Sequence, residues 1–383
     1  MQSSLQNKML KYLTVSCRLK PFWVLRPTEK DRDTCLCKTH ENLQCKADKM
    51  YAENAVRKRD LNLLVQDIVC SSDNKQCMYR ECPNCKNKKV ETFEEEKDLH
   101  GNQTWWYVWK YRREEREKRN EQGEEHVTWV SATVKEMEFG TISTLSDELN
   151  KDLQHSARHF FNIGHQYKTL RFLTENLDEG EIMIHMDFSE NYSCKYQKEI
   201  QSVHFGASQK QISLHTGVAY TKVATIPFAT VSDNLKHGPP AIWAHLAVIL
   251  NYLKETTAVD IVHFVSDGPT TQYRSRSNLY LFAVKVFEYG FRKATWNFLE
   301  AGHGKGAPDG IGGALKMLDD SLAVVQRKDI TCAKDLVEGL NALQTSIKLF
   351  TVADDMIEKE ANELPKNIES VPETMRIHQV LIN

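Results

Sequence analysis

The chain has 383 residues, 41% of them hydrophobic and 27% charged, with a formal net charge of −2. That balance excludes a chain that is mostly disordered, and it argues neither for nor against a nucleic-acid partner, so charge has to be read locally. No apolar run approaches the ~20 residues of a membrane span, and the first twenty residues lack an uninterrupted apolar segment of the secretory type. The expectation is an intracellular protein with reduced thiols and no membrane partner.

Residues 1–30, with the apolar and aromatic stretch "LKPFWVLRP", read as a truncated N-terminal segment. Residues 31–92 hold seven of the ten cysteines. Reduced cysteines do not cluster in this way without a reason, and a metal site is the better account. The order is Cys35-x-Cys37-x2-His40, Cys45, then Cys70-x6-Cys77-x4-Cys82-x2-Cys85. The expected ligands of a closed structural Zn²⁺ site are Cys37, His40, Cys82 and Cys85. Cys35, Cys70 and Cys77 are candidates for a second zinc, and Cys45 is the weakest ligand. Between the two groups, "AENAVRKRDLNLLVQDIV" (52–69) has Leu61, Leu64, Val65 and Ile68 on one helical face.

Residues 93–178 come next. Two aromatic, β-branched runs flank a charged stretch and read as a hairpin with a long exposed loop. Residues 110–119 carry six Lys/Arg against three Glu. Arg112, Arg113 and Arg116 are candidate phosphate contacts, in a patch that also suits nuclear import. A long helix is expected over 144–177, capped by Thr144. His155, His159 and His165 on it read as surface or core residues rather than ligands.

Residues 179–330 run β-β-β-α-β-α-β-α. The apolar run "EIMIHMDF" ends on Asp187, and "DIVHFVSD" ends on Asp267. "QISLHTGVAYT" alternates, with Ile212, Leu214, Thr216, Val218 and Tyr220 on one face, and Pro227 argues that the third strand lies at an edge. The element order fits an α/β fold with a mixed sheet in the order 3-2-1-4-5. There the first and fourth strands are neighbours at a topological switch point. Asp187 and Asp267 then share one sheet end, and the helix after the Gly-rich turn "GHGKGAPDGIGG" brings Asp309 to them. Three converging carboxylates repel unless a cation sits between them, and hard oxygen donors select Mg²⁺ or Mn²⁺. Two such ions suit in-line phosphoryl displacement. His303 and Lys305 are expected to hold phosphate oxygens or steady the last carboxylate. Glu300, also at the end of the fifth strand, is the alternative third carboxylate. Residues 331–383 read as a C-terminal helical tail.

On "MDFSENYSCKYQKEIQSVHFG", "FVSDGPTTQYRSR", "EAGHGKGAPDGIGG" and the upstream "CLCKTHENL", residues 15–330 resemble the DDE/D transposases of animal cut-and-paste DNA transposons, or a host protein derived from one. The resemblance implies a ribonuclease-H-like fold and a nuclear protein that binds DNA. It also implies metal-dependent strand cleavage and transfer by Asp187, Asp267 and Asp309. The N-terminal sequence-specific DNA-binding domain usual in such transposases is missing from this reading. A catalytically silent DNA-binding or protein-interaction factor on the same fold is therefore the second expectation, and a homo-oligomer is compatible with either.

Overall fold

The computed structural model describes residues 37–93, 103–119, 125–198, 200–201, 209–321 and 329–383. Residues 1–36, including Cys35, lie outside the described part. Three helices come first: α1 (Lys38–Ala52), α2 (Leu61–Ile68) and α3 (Lys75–Met78). Leu43, Ala47 and Met50 form the buried stripe of α1, at the spacing that puts side chains on one helical face. The segment from Cys37 to Cys45, which carries three of the candidate ligands, is therefore mostly helix. The helix expected over 52–69 is shorter. Asn54 turns the chain with φ 56°, and the Asp60 side chain accepts from the Leu63 N–H to start α2 afresh.

β1 (Gln103–Arg119) and β2 (Glu125–Thr141) form an antiparallel ribbon in unbroken register from Gln103 opposite Thr141 to Arg119 opposite Glu125. The basic stretch is thus strand rather than exposed loop. At the base of the ribbon Trp106 and Val108 turn inward, while Trp105, Tyr107 and Phe139 face out.

The helix α4 (Ile142–Glu175) is the spine of the molecule. Its cap is Thr141, which accepts from the Thr144 N–H, so the helix starts earlier than the Thr144 cap expected. At 34 residues it is about 51 Å long. Leu145, Leu149, Leu153 and Ala157 pack with α1, α2 and the ribbon base in one apolar cluster. There the buried Lys46 ammonium reaches Glu148 at 2.7 Å and Asp152 at 2.8 Å. At the other end Leu170 and Leu173 pack, with Leu177, on Met183, Val265 and Leu299 of the sheet region.

The sheet contains β3 (Glu181–Phe188), β5 (Gln211–Thr221), β6 (Thr225–Ser232), β7 (Ile261–Ser266), β8 (Lys293–Phe298), β9 (Lys348–Thr351) and β10 (Gln379–Ile382). The short β4 (Tyr192–Ser193) pairs beside β5. The order is β10-β8-β7-β3-β5-β6-β9, so the five expected strands lie in the expected order. β3, β7 and β8 are parallel, and β5 is antiparallel to both β3 and β6. The third strand is not the edge. β9 pairs parallel to its Phe228–Val231 stretch, and Pro227, opposite Val218 of β5, falls one residue short of that pairing. β5 is buried from Ile212 to Ala219 on both faces, because helices cover both sides of the sheet. On one side α5 (Pro239–Thr256) and α6 (Arg276–Glu288) meet Ile182, Ile184, Met186, Val262 and Phe264. On the other lie α4, α7 (Ala307–Ser321) and α8 (Ala333–Ala342). The segment after 330, expected as a helical tail, supplies both outer strands and α9 (Asp354–Asn362), which packs on α5.

Candidate active site and metal centres

The parallel ladder between β3 and β7 pairs Glu181 with Ile261 and continues to His185 with Val265. The offset is constant (261 − 181 = 80), so Asp187 and Asp267 lie level, two residues past the last pair. Strand alternation fixes their side. Met183 and Val265 face α4 and Leu299, and His185, Asp187 and Asp267 follow at even spacing on that same face. Asp309 arrives from the first turn of α7, where its Oδ2 accepts the Gly306 N–H at 2.8 Å. The start of α7 is tied to the sheet by the Thr216 hydroxyl, which donates to the Pro308 carbonyl at 2.9 Å. Thr216 is itself the ladder partner of Asp187.

The three aspartates feel one another. Burial pushes the Asp187 carboxyl up to about 7, with further upward pressure from Asp267 and Asp309. Burial likewise raises Asp267 to about 6; the Arg274 guanidinium opposes this and Asp309 adds to it. The Asp267 Oδ1 is buried without a hydrogen-bond partner. His185 is held neutral: burial lowers it to about 4 against the pull of Asp309. The Gly-rich loop closes over this face. A Cβ added at Gly304 would lie 2.7 Å from the Asp267 Cβ, and one at Gly306 would lie 2.9 Å from His185 Cε1. Lys305 is exposed between them.

Glu300 is occupied elsewhere. Its Oε1 meets His159 Nδ1 at 3.0 Å, and its Oε2 lies 3.5 Å from His378 Nδ1. Burial would raise its pKa, but the histidines outweigh that and hold the carboxyl low. His303 does not stand among the aspartates as a phosphate ligand. It is buried, with its ring against those of His40 and His159 at 5.4 and 5.0 Å. Sequence reading missed Arg274, which is 3% exposed and donates to the Leu299 and Met375 carbonyls. It sits where it can steady both Asp267 and the loop.

Among the described residues, two groups of side chains bring their ligand atoms within 4.8 Å of one another. One is Cys70, Cys77, Cys82 and Cys85, and the other is Cys37, His40, His159 and His303. The three aspartates do not make a third such group. The four-cysteine cluster can hold zinc. The expected mixed set of Cys37, His40, Cys82 and Cys85 is corrected: each pair takes its partners from elsewhere, because α1 carries His40 toward the middle of α4. Cys45 joins neither group. In the four-cysteine loop the Asn84 backbone N–H draws the Cys82 thiol down to about 7, closer to the thiolate a metal binds. Arg80 holds the loop by donating to the Ile68, Lys86 and Lys88 carbonyls.

The basic ribbon is partly neutralised across the strands. Lys110 pairs with Glu138 at 2.5 Å, and Arg112 pairs with Glu136. Arg113 is exposed; the Arg116 side chain lies outside the described part. No described helix is long and apolar enough to cross a membrane.

A family model described as a domain of unknown function (DUF8701) matches residues 166–383, and the chain belongs to that family. The match begins within α4 and takes in the sheet, the three aspartates, Glu300 and His303, while Cys37, His40, His159 and the four-cysteine loop precede it. No curated protein and no solved structure matches the chain.

Proposed function

We propose that the chain is a transposase-derived protein with a ribonuclease-H-like sheet, whose Asp187, Asp267 and Asp309 form a divalent-cation centre for DNA strand cleavage and transfer. The observation that carries this reading is the level placement of Asp187 and Asp267 on adjacent parallel strands, with Asp309 close enough to act on both. Such crowding persists in a fold when it serves a cation. The donor set fits Mg²⁺ or Mn²⁺: all the donors are carboxylate oxygens, and one of them is buried without a partner. Held there, such cations would supply activation of an attacking oxygen and charge stabilisation of a leaving one.

The chain's own residues would do the rest. Asp187, Asp267 and Asp309 hold the cations. Arg274 opposes the upward push of burial on the Asp267 carboxyl and pins the Leu299 carbonyl at the root of the loop. The Gly-rich loop lets backbone approach the aspartates, and Lys305 offers a mobile charge to a phosphate. The exposed Arg113 and the outward aromatic rings of the ribbon, Tyr111 and Trp129 among them, suit a DNA partner in the nucleus. The test is a manganese-dependent nicking assay on branched and linear DNA. Wild type should nick, and Asp267→Ala should lose at least ~10²-fold of that activity, the scale on which a missing electrostatic contact slows catalysis. Nicking that survives Asp267→Ala would sink the proposal.

A second reading is a silent DNA-binding or interaction factor on the same fold. It is favoured by the looser spacing of the aspartates compared with the two Cys/His groups. DNA binding that is insensitive to Mn²⁺, without any nicking, would select it.

A further inference from the structure

We propose that Cys37, His40, His159 and His303 bind a second zinc ion, and that this ion clamps the Gly-rich loop beside the aspartates to α1 and α4. This ion would be independent of the DNA chemistry, since its ligands include none of the three aspartates.

The four ligand atoms already converge. Cys37 Sγ lies 3.2 Å from His40 Nδ1 and 3.4 Å from His159 Nε2. Ligand-to-ligand edges of a tetrahedral zinc site with one sulfur and three nitrogens are roughly 3.3–3.6 Å, from Zn–S of ~2.3 Å and Zn–N of ~2.0–2.1 Å. The three imidazole rings crowd together, with centroids 5.0–5.4 Å apart. His40 and His303 are each 6% exposed, and the His303 Nε2 is buried without a hydrogen-bond partner. One thiol cannot satisfy three crowded rings, two of them buried, whereas one cation can. A thiolate with imidazoles is the borderline-soft set that zinc takes.

The outer contacts are those of a metal-bound histidine. His159 gives its Nδ1 to the Glu300 carboxylate at 3.0 Å and turns its Nε2 to Cys37. A carboxylate behind an imidazole fixes the tautomer and raises the basicity of the ligating nitrogen. This gives Glu300, at the end of the fifth sheet strand expected from the sequence, a role other than catalysis.

The ligands come from three places. Cys37 and His40 lie at the start of α1, His159 at the middle of α4, and His303 on the loop. The loop is pressed hard against α1: Gly302 has φ +80°, and a Cβ there would stand 2.5 Å from the Cys37 Cβ. Tyr167 of α4 donates to the His303 carbonyl at 2.9 Å, and the Glu300 N–H donates to Gln166. The next residue, Gly304, lies against Asp267. A zinc ion here would fix the loop at one end of the aspartate face.

The test uses the full chain. Metal analysis of the purified protein should give two zinc per chain, and Cys37→Ser and His303→Ala should each give one. Cobalt titration of the metal-free protein should be biphasic. The thiolate-to-metal absorption of the one-sulfur site should be about a quarter of that of the four-cysteine site, in proportion to sulfur count. Amide exchange across 299–306 should accelerate in Cys37→Ser but not in Cys82→Ser. One zinc in the wild type that is retained by Cys37→Ser and lost by Cys82→Ser overturns the proposal. So does a single cobalt phase with four-sulfur absorption, a readout that needs no variant to fold.

Discussion

At the scale of single residues, Asp187 shows what the proposed site costs the fold. Its carboxyl is raised to about 7 by burial and by its neighbours, above its value in an unfolded chain. The sign follows from linkage: a raised group contributes stability that is present at low pH and lost as pH rises through the folded value. Asp187→Asn keeps the shape and removes the charge. It should stabilise the cation-free protein at pH 8 by on the order of 1–2 kcal/mol, less than the shift alone implies because the group is partly exposed. The gain should shrink when Mg²⁺ is added, since the ion already offsets the repulsion, and it should vanish near pH 4. Denaturant unfolding with and without Mg²⁺ measures it, and a variant destabilised at pH 8 without cation would refute the electrostatic account. Asp187 and Asp267 were legible in the sequence because an apolar run that stops on a carboxylate is a local signal. His159 was not. A histidine within an amphipathic helix looks the same whether it meets water, core or metal, and only the fold brings it to Cys37.

At the scale of elements, the strand order was legible and the ribbon was not. Element order and connection length constrain a sheet strongly, so β3, β5, β6, β7 and β8 fell into place. β9 and β10 are only four residues each, too short for periodicity to register. The charged run 110–119 read as a loop because the evidence that it is strand lies on the partner: Glu136 and Glu138 of β2 face Arg112 and Lys110. That pairing changes which basic residue should matter. Arg112 would have to leave Glu136 to meet a phosphate, whereas Arg113 is exposed. If the ribbon meets DNA, Arg113→Ala should reduce the slope of log K against log salt by about 1. Arg112→Ala should change it less and weaken the ribbon by roughly 0.2–1 kcal/mol, the usual range for a cross-strand charge pair. Equal slopes for the two variants would show that the Glu136 pairing does not persist in solution.

At the scale of the whole molecule, one spine carries two bodies of packing, and the four-cysteine group that can hold zinc belongs to one of them. The cluster around Leu43, Leu64, Cys77, Cys85 and Leu149 includes two thiols of the four-cysteine group. The sheet cores draw on none of the four. Removing zinc should therefore unfold the first body before the second. With a strong chelator, protease cleavage should appear between residues 53 and 93, while a fragment starting near the middle of α4 resists. Loss of both halves together would show that α4 couples them too tightly for separate unfolding.

Acid should act on the sheet through buried histidines. His215 and His245 are fully buried. Burial drives His245 down to about 3 and His215 well below its ordinary value, and the neighbouring His237 adds to both shifts. Their bonds suit the neutral form: His215 Nε2 meets the Tyr273 hydroxyl at 3.0 Å, and His245 Nδ1 meets the Thr230 hydroxyl at 2.8 Å. Unfolded, each would take a proton at about 6.5. The folded values are depressed, so the stability they contribute is present above that pH and lost as pH falls. The loss approaches about 1.4 kcal/mol per pH unit per histidine. Asp187 and Asp267 work in the opposite direction, gaining protons in the folded state between roughly pH 4 and 7. They are less buried, so the histidines win, and a bound divalent cation would cancel the aspartate term altogether. Stability should therefore fall between about pH 6.5 and 5, and more steeply with Mg²⁺ than without. His245→Gln keeps a side chain that can bond Thr230 and cannot titrate, so it should flatten that fall by about 1.4 kcal/mol per pH unit. Comparing the two proteins at each pH removes whatever acid does to the zinc ligands, which they share. Parallel pH profiles for wild type and His245→Gln would mean that His245 is already protonated, or already exposed, in the folded chain.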